Sequence, residues 1–429
     1  MTIYVVRPGD SVWQISNRFG VSMQSIVDAN GLQDLPGIVV GQALVIPTKE
    51  STYVVRPGDS LWSISAKFNV SVASLAALNG ISPPYHLTTG MVLRIPQLSK
   101  NYGYIESNGY IEPSTAETET KIMNEAGPFL TYISPFSHQI NADGTINPID
   151  DDTILQAAKK FRNAPLLVIT NFRNGNFDTK MIDTILKDDA LQQKLINNVL
   201  ALMKSKGYYG LNIDFERISP ENRQLYNNFL RKITAAMHAE HYIVCTSLAP
   251  KPSDYQTGAW HGAHDYRAHG QIVDFVILMT YEWGWSGGPP YAVAPIDLVK
   301  QVLDYAASVM PAKKIMMGIP TYGYDWTLPY VKGGKFAKRV SPQEAITLAF
   351  NHGVYILYDY KVQSPHFNYY DENKKQHEVW FEDARSIQAK LRLASSMGLR
   401  GVSYWELGVA FPQNWLVLDD MFNIVKVVR

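Results

Sequence analysis

The sequence predicts a (β/α)8 barrel preceded by two small βααβ modules. Three observations carry this expectation. The segment Tyr4–Trp13 recurs almost unchanged as Tyr53–Trp62. After residue 104, eight apolar, β-rich runs follow one another. Amphipathic stretches separate most of those runs, the cadence of strand and helix around a closed parallel sheet.

Each module is read from its repeat. Tyr-Val-Val is a first strand, and Pro-Gly a turn. Asp10 or Ser11 can cap the next helix, on which Ile15 and Phe19 share a face. Gly31 and Gly80 follow a second helix as C-cap residues. Ala43–Ile46 returns as the closing strand. The match continues through Asn30/Asn79 and Ile46-Pro47/Ile95-Pro96. The segment Val-x-Pro-Gly-Asp-Ser-x-Trp resembles the signature of the LysM family, placed here at residues 1–48 and 50–97. That resemblance implies binding to polymers containing N-acetylglucosamine. It points to Gly9, Asp10, Ser11 and Asn30, and to Gly58, Asp59, Ser60 and Asn79, as glycan-binding residues. A mere spacer or oligomerisation module is the other reading of the same repeat.

Residues 98–109 read as a short polar connector, and residues 104–429 as the barrel. The expected strands are Tyr104–Ile111, Phe129–Ser134, Leu166–Thr170, Gly210–Phe215, Tyr242–Ser247, Val273–Met279, Ile315–Ile319 and Gly401–Trp405. Pro220–Ala239 and Ala384–Met397 are among the amphipathic stretches. A doubly wound open sheet is the alternative. The interval from about 325 to 381 is too long for a loop. It reads as a small α+β insertion after strand seven, walling one side of a cleft.

Composition narrows the function classes. The formal net charge is +0, which gives no support for nucleic acid or an anionic membrane as partner. No apolar run approaches the ~20 residues of a membrane span. Cys245 is the one cysteine, which excludes an intrachain disulfide and suits a buried core thiol. The first residues show no basic region followed by an apolar one, so no cleavable signal peptide is expected. A monomer without cofactor or metal is expected.

The chemistry concentrates at Tyr209–Glu216. Leu211, Ile213 and Phe215 alternate with Asn212, Asp214 and Glu216, so three polar side chains line one strand face. Two carboxylates this close do not ionise independently, and one is pushed towards its protonated form. A general acid near neutral pH needs that property. In a barrel the C-terminal strand ends also bring Met279, Tyr281, Glu282 and Trp283 from strand six to the same mouth. Tyr324 and Asp325 follow strand seven, and Trp405 ends strand eight. Carboxylates, tyrosines and a tryptophan together suit a sugar site.

These residues resemble glycoside hydrolase family eighteen over essentially all of residues 104–429. The family pattern Asp-Gly-x-Asp-x-Asp-x-Glu reads Tyr-Gly-Leu-Asn-Ile-Asp-Phe-Glu here. Met279-x-Tyr281 and Trp405 match further motifs. The resemblance implies substrate-assisted retention, in which the 2-acetamido oxygen of the substrate attacks C1. It assigns Glu216 as acid and then base, Asp214 as partner of the acetamido N–H, Tyr281 as donor to the acetamido carbonyl, and Trp405 as floor of the −1 sugar. Asn212 replaces an Asp, and it is expected to donate an amide hydrogen bond to an ionised Asp214. Tyr209, in place of the first Asp, is read as packing.

Other candidates stay open. Glu282 is a contact for the −1 sugar hydroxyls. Trp283 and Trp285 are a sugar platform or loop packing. Tyr324 and Asp325 are substrate contacts or insertion packing. His261, His264 and His269 lie close in sequence, but their spacing fits no standard metal motif. Tyr370-Asp371-Glu372 reads as a solvated turn.

Two LysM-like modules together with Met279–Ile296 resemble the spore cortex-lytic group of the family. The implied substrate is cortex peptidoglycan, degraded during germination, with N-acetylglucosamine at −1. Muramic lactam has its nitrogen tied into a ring and cannot form the oxazolinium. The implied location is the spore coat or the cortex–coat boundary, after synthesis in the mother cell. A chitinase, a vegetative peptidoglycan endoglycosidase or a non-catalytic glycan-binding coat protein are the alternatives. Removing the residues before Asn101 is expected to weaken binding to insoluble glycan and to spare cleavage of short fragments.

Overall fold

The computed structural model describes residues 1–428 apart from 34, 36, 49, 69, 71 and 97–99. The expected second-module end at 97, and residues 98 and 99 of the connector, lie outside the described residues. Eight parallel strands form the barrel: Tyr104–Ile111, Tyr132–Pro135, Ala164–Thr170, Gly210–Asp214, Ile243–Leu248, Phe275–Leu278, Ile315–Pro320 and Gly401–Trp405. We number them one to eight. Each pairs in parallel with the next, and strand eight closes on strand one through Gly401↔Glu106 to Tyr404↔Gly109. Closure leaves no edge, so the open-sheet alternative is excluded. Strand one begins at Tyr104, so the connector is shorter than expected.

The alternation of strand four sorts its side chains as expected. Leu211, Ile213 and Phe215 join the layer between barrel and helices. Cys245 is buried inside the barrel with Leu166, Val168, Phe275 and Met316. Between strand seven and the helix Ala384–Ser396 lies the insertion. It is a five-stranded antiparallel sheet running from Gly323 to Trp380, with one helix, Pro342–Asn351. Asp371 accepts the backbone N–H groups of Asn373 and Lys375, which makes its segment the tight turn of a hairpin.

Each N-terminal module is strand, helix, helix, strand. In the first these are Thr2–Val5, Val12–Phe19, Met23–Asn30 and Ala43–Ile46, with Thr2↔Ile46 to Val5↔Ala43 paired antiparallel. Ser11 caps the first helix by accepting from Gln14 N–H, and Gly31 closes the second with φ 59°. The polar residues of the repeat serve this frame. Asp10 accepts from Tyr4 O–H at 2.6 Å and Arg7 N–H at 2.8 Å, and Asp59 does the same with Tyr53 and Arg56. Asn30 bridges Ile26 and Val45, and Asn79 bridges Leu75 and Arg94. Ser60 accepts from Ser63 N–H. Gly9 and Gly58 make the exposed turns at φ 83° and 85°. Turn and strand geometry already use the hydrogen-bonding groups of Asp10, Asn30, Asp59 and Asn79. Trp13 and Trp62, at equivalent positions, face solvent instead, 62% and 72% exposed.

The two modules differ in how they sit. The first is packed onto the barrel domain. Gln413 donates to Asn30 Oδ1 at 2.6 Å and to the Ala43 carbonyl at 2.9 Å, all buried. Arg385 reaches the Gly41 carbonyl, and Ile356 N–H bonds the Val40 carbonyl at 3.0 Å. A Cβ on Gly41 would stand 1.8 Å from the Ile356 carbonyl oxygen, so only glycine fits there. Ala29, Ala43 and Val45 share one apolar cluster with the barrel helices, whereas the second module has a core of its own. Cutting the chain at Asn101 therefore strips a packed face from the barrel domain and does not cleanly separate binding from cleavage. Gln413→Ala leaves a buried carbonyl unpaired. It is expected to cost roughly 1–3 kcal/mol of stability, measured by urea unfolding of the full chain.

Candidate active site

Strand four delivers Asp214 at its last position, and the chain then turns outward. Two neighbours fix that turn. Asn171, just after strand three, donates to the Glu216 carbonyl at 2.8 Å and accepts Glu216 N–H at 3.0 Å. His264 lies 3.0 Å from the Phe215 carbonyl through Nε2 and accepts Ala249 N–H on Nδ1. Arg217 then takes a left-handed φ of 56°, and Glu282 at the end of strand six takes 69°. Left-handed backbone at non-glycine residues is costly, and it clusters where side chains must be aimed.

A cleft of about 340 Å³ opens over the barrel mouth. Asp214, Glu216, Met279, Tyr281, Glu282, Tyr324 and Trp405 all line it. A second hollow of about 650 Å³ adjoins it across Glu216, Trp260 and Tyr281, and there Trp283 and Trp285 form part of the wall. Trp405 lines the first hollow and meets Phe136 and Tyr110 edge-on, at 4.7 and 5.5 Å between ring centroids. Gly318 on strand seven makes room for Tyr281: a Cβ there would stand 2.8 Å from its ring. Glu282 accepts hydrogen bonds from Tyr322 and Tyr324.

Asn212 and Asp325 are not brought to the cleft. Asn212 lies deeper in the barrel. It donates to Cys245 Sγ at 3.1 Å and accepts from the Tyr110 and Ser247 hydroxyls at 3.3 Å. It makes no bond to Asp214, whose Oδ1 is buried with no hydrogen-bond partner among the described residues. Asp325 faces the insertion, where it accepts from Tyr369 at 2.7 Å and pairs with His377 at 2.8 Å. The three histidines also part company. His264 holds the Phe215 turn, His269 pairs with Thr246 at 2.9 Å, and His261 pairs with Gln256. Burial pushes His264 down to about 4 and His269 to about 3. Among the described residues no group of three or more His, Cys, Asp or Glu is placed to hold a metal ion.

Burial, and then the Glu216 charge, raise Asp214 well above the usual carboxylate range. Burial raises Glu216 to about 7, against the opposing pull of a hydrogen bond from Trp260 Nε1 at 2.6 Å. No cation or N–H among the described residues bonds Asp214, so the ligand-free pair holds a proton more readily than two separate carboxyls would. Burial and the two carboxylates also keep the Tyr281 phenol protonated, leaving it a donor. Sequence reasoning missed Trp260, Asn171 and Arg339. The last comes from the insertion, lines the cleft, and bonds Glu406 at 3.0 Å.

A carboxyl pair, a phenol donor and a tryptophan at the mouth of a parallel barrel define a glycoside hydrolase site. The family model for glycosyl hydrolases family 18 matches residues 104–409, and that for the LysM domain matches 4–47 and 53–96. The chain belongs to glycosyl hydrolases family 18 and carries two LysM domains. It is 50% identical to the cortical fragment-lytic enzyme of Bacillus subtilis (strain 168), over 99% of both chains. The structure resembles the crystal structure of the Bacillus cereus spore cortex-lytic enzyme SleL, with 46% identity, TM-score 0.88 and 99% and 98% coverage of the two chains. It also resembles that of the Bacillus megaterium QM B1551 spore cortex-lytic enzyme SleL, with 41% identity, TM-score 0.91 and 99% of both chains covered.

Two predictions follow from the electrostatics. Trp260→Phe removes the donor that favours ionised Glu216. The alkaline limb of kcat/KM is expected to move up by about one pH unit, or roughly 1.4 kcal/mol. An unmoved limb in the pH profile would refute this tuning. Glu216→Gln removes the need to ionise a buried group. Because the folded state raises this pKa, the parent loses stability as pH rises from the ordinary carboxyl value through about 7. The variant is expected to melt a few degrees above the parent at pH 8, with the gap closing near pH 5, as calorimetry can check.

Proposed function

We propose that the protein is a retaining, substrate-assisted N-acetylglucosaminidase that cleaves spore-cortex peptidoglycan after N-acetylglucosamine during germination. The observation that carries the reading is the Asp214–Glu216 pair lining one cleft together with Tyr281 and Trp405. The −1 sugar rests on Trp405. Protonated Glu216 gives its proton to the glycosidic oxygen as the bond to C1 breaks. The acetamido oxygen attacks C1, oriented by the Tyr281 hydroxyl, and an oxazolinium forms. The acetamido N–H supplies the hydrogen bond that Asp214 lacks in the free protein, and Asp214 as carboxylate balances the developing positive charge. Glu216, now ionised, takes a proton from the water that opens the ring. Met279, Glu282 and Tyr324 shape the first hollow around this sugar, while Trp283 borders the leaving-group side.

Relatives named for cortical fragment lysis, similar over the full chain, support cortex as the substrate. The LysM domains support glycan binding, for which exposed Trp13 and Trp62 offer stacking faces. Gly9, Ser11, Gly58 and Ser60 sit beside them at the turn and cap. No helix among the described residues is long and apolar enough to cross a membrane. We place the protein at the spore coat or the cortex–coat boundary, acting as a monomer on glycan strands.

Mass spectrometry of cortex fragments, after muramidase or lytic-transglycosylase digestion, tests the reading. New products with reducing-end N-acetylglucosamine are expected from the parent protein. Glu216→Gln is expected to lose hydrolysis by at least a thousand-fold, about 4 kcal/mol, and still to sediment with peptidoglycan. Undiminished cleavage by that variant would remove Glu216 from its role. Binding without cleavage by the parent would favour a glycan-binding coat protein.

A further inference from the structure

The first LysM module does more than pack against the barrel domain: a groove at its outer edge lies one hollow away from the catalytic cleft. The hollow above Trp405 runs out past Arg339. Arg339 also borders a shallow neighbouring surface with Glu406, Glu344 and Ala410. Glu344 and Ala410 in turn line a groove of about 690 Å³ between the module and the insertion. Arg339 thus borders the first two of these hollows, and Glu344 and Ala410 border the second and third.

The groove is built for a polar ligand. Asp28 and Gln33 of the module form one wall, and Gln343 and Thr347 of the insertion helix form the other. Gln343 Oε1 is buried there without a hydrogen-bond partner among the described residues, and Lys121 and Lys338 also line the groove. An unpaired buried acceptor is costly, and a donor on a ligand such as a hydroxyl or acetamido N–H group would satisfy it. The walls are also fixed. Gln413, Arg385 and Ile356 tie the module down, so the groove keeps one position relative to Glu216. None of the described residues of the second module lines this groove.

Direction follows from the cleft. Glu216 borders both hollows, and Trp405 belongs to the first. If Trp405 floors the −1 sugar, the first hollow leads towards the non-reducing end. We propose that the first LysM module and the insertion together form a distal glycan subsite, joined to the catalytic cleft, that holds the non-reducing side of the strand being cut. The first module is then part of the active-site surface, and the second alone is an independent anchor. This rests on the proposed glycosidase reading.

Two substitutions in the full-length protein test it, one from each wall. Thr347→Glu fills the groove and opposes the carboxylates of peptidoglycan, and Gln33→Ala removes an exposed amide. For each, kcat/KM is measured on short soluble cortex fragments and on long soluble glycan strands. The long-to-short ratio is expected to fall about ten-fold for Thr347→Glu and about three-fold for Gln33→Ala. An equal loss on both substrates, or no loss on either, overturns the distal subsite. Failure of the underlying reading shows separately, as absence of reducing-end N-acetylglucosamine from the parent on both substrates.

Discussion

A buried Asp214 beside a half-buried Glu216, with no cation bonded to either among the described residues, is the constraint around which the barrel mouth is arranged. Burial makes both Asp214 and Glu216 costly to ionise where they sit, and the Glu216 charge adds to the cost at Asp214. Water or a lysine would relieve that cost and would also spoil the acid. The surroundings keep the pair in place without neutralising it. Asn171 and His264 hold backbone, not carboxylate, and the indole of Trp260 supplies a single N–H. Tyr322 and Tyr324 engage the neighbouring Glu282, which keeps a third acid occupied elsewhere.

The strands and the carboxyl pair were legible in the sequence because both follow from a period of two. Asn212 was misjudged for a reason that period does not contain. Alternation gives the face but not the depth. Asn212 stands two residues below Asp214, about 7 Å down the strand, beneath the cleft floor among Tyr110, Ser247 and Cys245. Asp325 failed on the other half of the rule. It adjoins Tyr324 on one strand, and neighbours point to opposite faces, so only one of them reaches the cleft. Trp260, Asn171 and Arg339 lie on loops or on the insertion, where no period exists and tertiary packing alone sets position. In the LysM modules the residues around a turn signal served the turn itself, which left the exposed tryptophans as the informative positions.

Two copies of nearly the same sequence adopt the same fold and meet different surroundings. The asparagine that ends the second helix is buried under Gln413 in one copy and lies at the surface in the other. The glycine before the last strand is pressed against Ile356 at position 41, and its counterpart at 90 faces open space. Repetition specifies a module, and the partner surface then decides what that module does.

The Trp260 hydrogen bond has a consequence for timing. The indole N–H favours the carboxylate form of Glu216, which in the proposed mechanism is the product of the first half-reaction and the base of the second. It lowers the energy of the enzyme midway between the two chemical barriers. A stronger donor at this position would hasten departure of the leaving group and slow the water that follows, because a stabilised carboxylate is a weaker base. The single uncharged N–H therefore acts as a balance point between the two halves of the turnover, and its strength sets which of them is slower.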